Sequence, residues 1–196
     1  EALTSLKAYK EGMKEGQEAI YYLLGENPET IRRNPNLEYF RKHDIEVLLL
    51  TDPIDVFIMP DLTDFDGTPL KSIEQADLDL EADEETAEAL PEADVTRLLD
   101  RFKQVLGDRV EAVIASKRLV DSAATLVVGQ QGLDKQMERM LKLMGQAVPG
   151  GRRILEVNPA HPLLKNLAGL LDTGAGGDLV DGAILQLYES ALLLEG

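Results

Sequence analysis

The apolar residues of this chain alternate between short unbroken runs and spaced stripes. Tyr21-Tyr22-Leu23-Leu24 and Val47-Leu48-Leu49-Leu50 are runs of four. Each predicts a strand, and the second, with no polar residue among its four, suits a strand covered on both faces, as in a parallel sheet. Gly25-Glu26-Asn27-Pro28 stops the first run, and Asn27 is placed to cap a helix that begins at Pro28. Asn34-Pro35 ends that helix, and Leu37, Phe40 and Arg41 suit a second short one. Strand, helix, strand over about thirty residues is a βαβ unit. Ile54, Phe57, Ile58 and Leu62 then recur at helical spacing, Asp66-Gly67 marks a turn, and residues 70–73 a short strand.

A second group of elements follows residue 94. Val95, Leu98, Leu99, Phe102, Val105 and Leu106 form one amphipathic face, ended by Gly107. Residues 110–115, 125–128 and 154–157 read as strands, and 133–145, 162–171 and 179 onward as helices. Gly174-Ala175-Gly176-Gly177 is a joint. The expected fold class is therefore α/β plus α+β. The βαβ unit makes the stretch before the acidic run the α/β part, and 95–196 is an α+β unit with a small sheet and C-terminal helices. No internal repeat is visible.

Charge separates the two units. Residues 77–94 hold nine carboxylates and no Lys or Arg, which predicts an acidic linker over 74–94 or the outer face of an approaching helix. An anion-rich contact or metal-binding lobe is the alternative reading. The formal charge of -16 over 196 residues argues against nucleic acid and anionic membranes as partners. No apolar run approaches the roughly 20 residues a membrane span needs. Cysteine is absent, which fits a reducing compartment. The chain opens on Glu1-Ala2-Leu3 and closes inside Ala191-Leu192-Leu193-Leu194, as a cut from a longer protein would.

Few residues suggest chemistry. His43 and His161 lie far apart with no metal-ligand spacing around them, and His161 sits at a predicted helix start. Asp52 and Asp55 follow a predicted strand, where α/β sheets bind ligands. They could serve a small α/β enzyme as acid, base or metal ligands, or simply cap the next helix. No phosphate-binding loop, nucleophile elbow or complete catalytic cluster is present in the sequence. No catalytic residue and no metal ligand is therefore assigned.

Two stripes suggest contact instead. Leu133, Met137, Met140, Leu141 and Met144 share one face of the predicted helix over 133–145. A methionine-rich face suits either a core or an adaptable binding surface. Val180, Ile184, Leu187, Ala191 and Leu194 follow heptad spacing, which suits either one more core helix or a helix-on-helix dimer seam.

Six tracts, in order, resemble the heat-shock protein 90 family: Met13-Lys14-Glu15-Gly16-Gln17 with Ile20-Tyr21-Tyr22; residues 46–55; Phe65-Asp66-Gly67; residues 118–122; Met137-Glu138-Arg139-Met140; and residues 154–159 with His161-Pro162-Leu163. The absence of cysteine and the short loops resemble the bacterial branch. The resemblance implies a cytoplasmic stress-response chaperone. It assigns residues 1–73 to the end of the middle domain, its small α/β/α sandwich, and 95–196 to the C-terminal dimerisation domain, without the family's last helix. ATP and magnesium would be used by the full-length protein through domains that lie upstream, so this stretch would bind no cofactor and catalyse nothing itself. The implied partners are a second copy, through the C-terminal helices, and unfolded client proteins. Carried over by position, client contact falls on Phe57, Leu133, Met140 and Leu141. Met137 and Met144 share their face, and Val180, Ile184, Leu187, Ala191 and Leu194 become dimer-interface candidates.

Overall fold

The computed structural model describes residues 3–76, 78, 80, 90–129, 141, 152–174 and 176–195. Helix α1 (Leu6–Glu11) leads into strand β1 (Ile20–Leu24). Then come α2 (Pro28–Ile31), a 3-10 turn at Pro35–Leu37, α3 (Glu38–Lys42) and β2 (Leu48–Leu50). A short α4 (Asp55–Ile58) and the hairpin β3 (Asp64–Phe65) and β4 (Thr68–Ser72) complete the first half. The sheet order is β2-β1-β4-β3, with β1 parallel to both β2 and β4, so the expected βαβ unit is present. Asn27 caps α2 through Oδ1, which accepts the Glu29 N–H, and Pro28 occupies the first helical position.

β2 pairs in parallel and is covered on both faces as expected, Leu49 packing against one apolar cluster and Leu48 and Leu50 against the other. As the edge strand it leaves all three half-buried. The enclosed strand is β1. Its side chains alternate across the sheet: Tyr22 and Leu24 meet Val56 and Met59 on one face, and Leu23 meets Ile31, Phe40 and Ile73 on the other. That alternation produces the α/β/α sandwich. α4 is also shorter than the apolar spacing over 54–62 suggests, because Pro60 has no N–H with which to continue the ladder.

The second half consists of α5 (Glu92–Leu106), β5 (Val110–Ala115), β6 (Ala124–Val128), β7 (Arg153–Val157), α6 (Pro162–Thr173) and α7 (Gly177–Glu195). Strand β7 is central, parallel to β5 and antiparallel to β6. The helices cover one face. Leu98, Phe102 and Leu106 of α5, Leu164 and Leu167 of α6, and Val180, Ile184 and Ala191 of α7 join Leu126, Leu155 and Val157 in a single core. Charged side chains tie the helices on their outer sides. Arg97 pairs with Asp172 at 2.5 Å, and Arg101 grips Asp181 through two bonds of 2.8 and 2.6 Å. α5 begins at Glu92, so Glu92 and Asp94 of the acidic stretch lie in its first turn, where the helix dipole favours them.

Where it is described, the chain from Glu74 to Leu80 is packed. The Val128 N–H donates to the Glu74 carbonyl at 2.8 Å, and the Ala76 N–H donates to the Val128 carbonyl at 3.0 Å. Leu78 and Leu80 are buried in the first half's core. The alternation of Leu78 and Leu80 with acidic residues explains this, since one side of the segment can face apolar neighbours. The helix expected over 133–145 lies outside the described residues except for Leu141, which is helical and half-buried.

Candidate contact surfaces

The isolated chemical candidates are absorbed by local structure. Asp52 Oδ1 accepts the Ile54 N–H and Asp55 Oδ2 accepts the Asp52 N–H, both at 3.1 Å. The two carboxylates thus close the turn into α4, the ordinary task of Asp before Pro at a helix start. His161 caps α6 through Nδ1, which accepts the Leu163 N–H at 3.1 Å. His43 stacks against Tyr39 with ring centroids 4.3 Å apart. Among the described residues, no group of three or more His, Asp or Glu is placed to hold a metal ion.

Phe57 lies on α4, where two apolar sides compete for one core. Val56 and Met59 point into the sheet and are buried. Ile54, Phe57 and Ile58, at i, i+3 and i+4, point the other way and are 54%, 44% and 47% exposed. Together they form an exposed apolar patch on the outer side of a helix anchored from behind. The sequence reading named Phe57 alone. Its neighbours Ile54 and Ile58 complete the patch, and the signal was their shared helical spacing.

The proposed dimer seam is divided by the fold. Val180, Ile184 and Ala191 face the core of their own chain, and Leu187 packs against its margin. Residues enclosed within one chain are unavailable to a second, so the heptad spacing of these positions is satisfied internally. Leu194 is about half exposed, and with Leu192, Leu193 and Leu179 it leaves apolar side chains of α7 outside the core. Leu192 and Leu193 were not singled out from the sequence. The unbroken run Leu192-Leu193-Leu194 was their signal, because a helix with one buried side cannot enclose three consecutive residues. Leu133, Met137, Met140 and Met144 lie outside the described residues.

Sequence comparison identifies the family that carries this arrangement. The chain belongs to the Hsp90 protein family, whose family model matches residues 1–196. It is similar to the chaperone protein HtpG of Chlorobium luteolum, 48% identical over 193 residues that cover 98% of this chain and 31% of that protein. HtpG of Chlorobaculum tepidum is 48% identical over 195 residues, with the same coverage. HtpG of Magnetococcus marinus is 44% identical over 200 residues, covering 98% of this chain and 30% of that protein. The chain thus spans about 31% of the length of the first two curated relatives. No helix among the described residues is long and apolar enough to cross a membrane.

Proposed function

We propose that this chain is the part of a cytoplasmic, ATP-dependent chaperone that contacts unfolded client proteins and a second copy of itself. In this reading ATP and its magnesium are held by parts of the protein outside this stretch. Residues 1–73 act as the end of the middle domain and 95–196 as the C-terminal dimerisation domain, with 74–94 between them. Family membership supports the reading. The observation that carries it is the outward apolar triplet Ile54, Phe57 and Ile58 on a helix whose inner side is anchored by Val56 and Met59. Such a patch accepts many sequences because apolar contact is non-directional. The stretch bearing Leu133, Met137, Met140, Leu141 and Met144 is the second client surface in this proposal. The exposed side of α7, with Leu192, Leu193 and Leu194, provides the self-contact.

The test is a Phe57→Ser, Ile58→Ser double variant. Both side chains are only about half covered, so each truncation should cost about 1 kcal/mol, roughly half of what full burial is worth, and leave the fold intact. Suppression of light scattering by a chemically unfolded substrate protein should fall. Unchanged suppression with an intact fold would overturn the assignment of this patch.

A further inference from the structure

Each half of the molecule sends one charged side chain into the other, and both meet at the loop between β5 and β6. Glu38, at the start of α3 in the first half, reaches the second. Its Oε2 accepts the N–H groups of Val120, Asp121 and Ser122 at 2.7, 2.9 and 3.1 Å, and its Oε1 accepts the Ser122 hydroxyl. Arg118, in the same loop, reaches back. Its Nε donates to Glu156 Oε2 at 3.0 Å, while Nη1 and Nη2 donate to the carbonyls of Ile73 and Gln75, where the chain leaves the first sheet. Arg118 and Glu156 are 2% and 3% exposed.

The loop is fastened to its own half as well. Ser116 Oγ donates to Glu156 at 2.7 Å, and Asn158 Nδ2 donates to the carbonyls of Val120 and Ser122 at 3.1 and 3.2 Å. A pull on Glu38 or on the Ile73–Gln75 segment is therefore transmitted to the central strand β7. In contrast, the three apolar clusters each stay within one half. Beside the backbone bonds of Glu74 and Ala76 to Val128 and the Thr125 hydroxyl's bond to Asn36, the halves are joined at this loop by charge-assisted hydrogen bonds, which are strong and directional.

We propose that Glu38 and Arg118 form a reciprocal polar clasp that fixes the orientation of the first sheet, and with it the apolar face of α4, relative to the second sheet and its helices. Directional bonds set an angle that apolar contact alone would leave free to slide. Releasing the Glu38 side exchanges backbone N–H bonds for water and exposes neither apolar core, so both halves stay folded when it opens. Glu38 and Arg118 act as positioning residues, setting geometry without touching a ligand.

The experiment measures the angle through a distance. The chain has no cysteine, so Lys7→Cys on α1 and Asp100→Cys on α5 accept spin labels at exposed positions in opposite halves. Labelled chain is diluted into unlabelled chain, and the distance distribution is recorded by pulsed electron resonance. The parent should give one narrow distance. Glu38→Ala should broaden it or add a second distance while far-ultraviolet circular dichroism stays unchanged, and Glu38→Gln, which keeps an acceptor, should fall between. Arg118→Met should broaden it further; if that variant does not fold, Glu38→Ala decides alone. An unchanged distribution in Glu38→Ala would overturn the proposal, and so would loss of folding in that variant, since the clasp would then not be separable from the folds it joins.

Discussion

Replacing Ile184 by alanine separates a core helix from an interface helix. Ile184 is 0% exposed and lies with Leu126, Leu155 and Phe102 in the second half's core. Burying an isoleucine side chain is worth roughly 1.5–3 kcal/mol in removal from water alone. Truncation to alanine also leaves a cavity, which brings the usual cost to roughly 2–5 kcal/mol. For a chain of this length each kcal/mol lowers the melting temperature by about 2–4 °C, so a loss of about 3 kcal/mol corresponds to roughly 6–12 °C. Leu193, 83% exposed, provides the contrast. Leu193→Ala should change the unfolding free energy from urea titration by no more than roughly 0.5 kcal/mol, while Leu193→Glu should weaken self-association in sedimentation. Both unfolding series need one fixed protein concentration, because association stabilises the folded state by mass action. If Ile184→Ala unfolds at the parent midpoint, the side chain is not enclosed as described and the inward orientation of the seam is wrong.

Other expectations follow from single contacts. Burial is the main cause that raises the Tyr9 phenol above its ordinary value of 10.0, against opposing hydrogen bonds from the Tyr21 N–H and Gln17. The stability contributed by the neutral phenol is complete below the unfolded value and is lost as pH rises through the higher folded one. Urea midpoints should therefore drop at alkaline pH more steeply in the parent than in Tyr9→Phe; equal slopes would contradict this. His161→Ala removes the cap of α6 and should cost about 1 kcal/mol, with Asn at the same position restoring most of it; an unchanged denaturation midpoint in the alanine variant would rule out the cap. Calorimetric titration with magnesium-ATP should show no stoichiometric micromolar binding, and a clear one-to-one heat would place nucleotide within this stretch.

The elements that were legible in the sequence are those whose signals are local. Asn27-Pro28, Asn158-Pro159 and Gly107 mark boundaries because capping, proline geometry and left-handed backbone depend on neighbouring residues alone. The apolar stripe from Leu98 to Leu106 predicted α5 and its buried side. Position within a sheet was not legible in this way. Four apolar residues at 47–50 look more enclosed than Ile20-Tyr21-Tyr22, yet β2 is the edge and β1 the centre, because only pairing decides which strand has neighbours on both sides.

Long-range contacts are hidden in the sequence for the same reason. Glu38 looks like an ordinary surface carboxylate in sequence, because three of its four bonds come from backbone N–H groups 82 to 84 positions away, and backbone leaves no mark in residue identity. Arg118 is hidden likewise, since two of its partners are main-chain carbonyls. Heptad spacing at Val180, Ile184, Leu187 and Ala191 states that one side of α7 is covered, but the covering surface can come from the same chain or another, and here it is the same chain. Excess, by contrast, can be read. Five of the six residues 54–59 are apolar. A helix laid on a sheet can bury only one side, so some of the five had to remain outside whatever the fold. The structure puts Val56 and Met59 within and Ile54, Phe57 and Ile58 without. Apolar residues beyond what a helix can bury therefore predict an exposed apolar patch more securely than any spacing does, and the run at 191–194 obeys the same rule: Ala191 is enclosed and the three leucines after it are not.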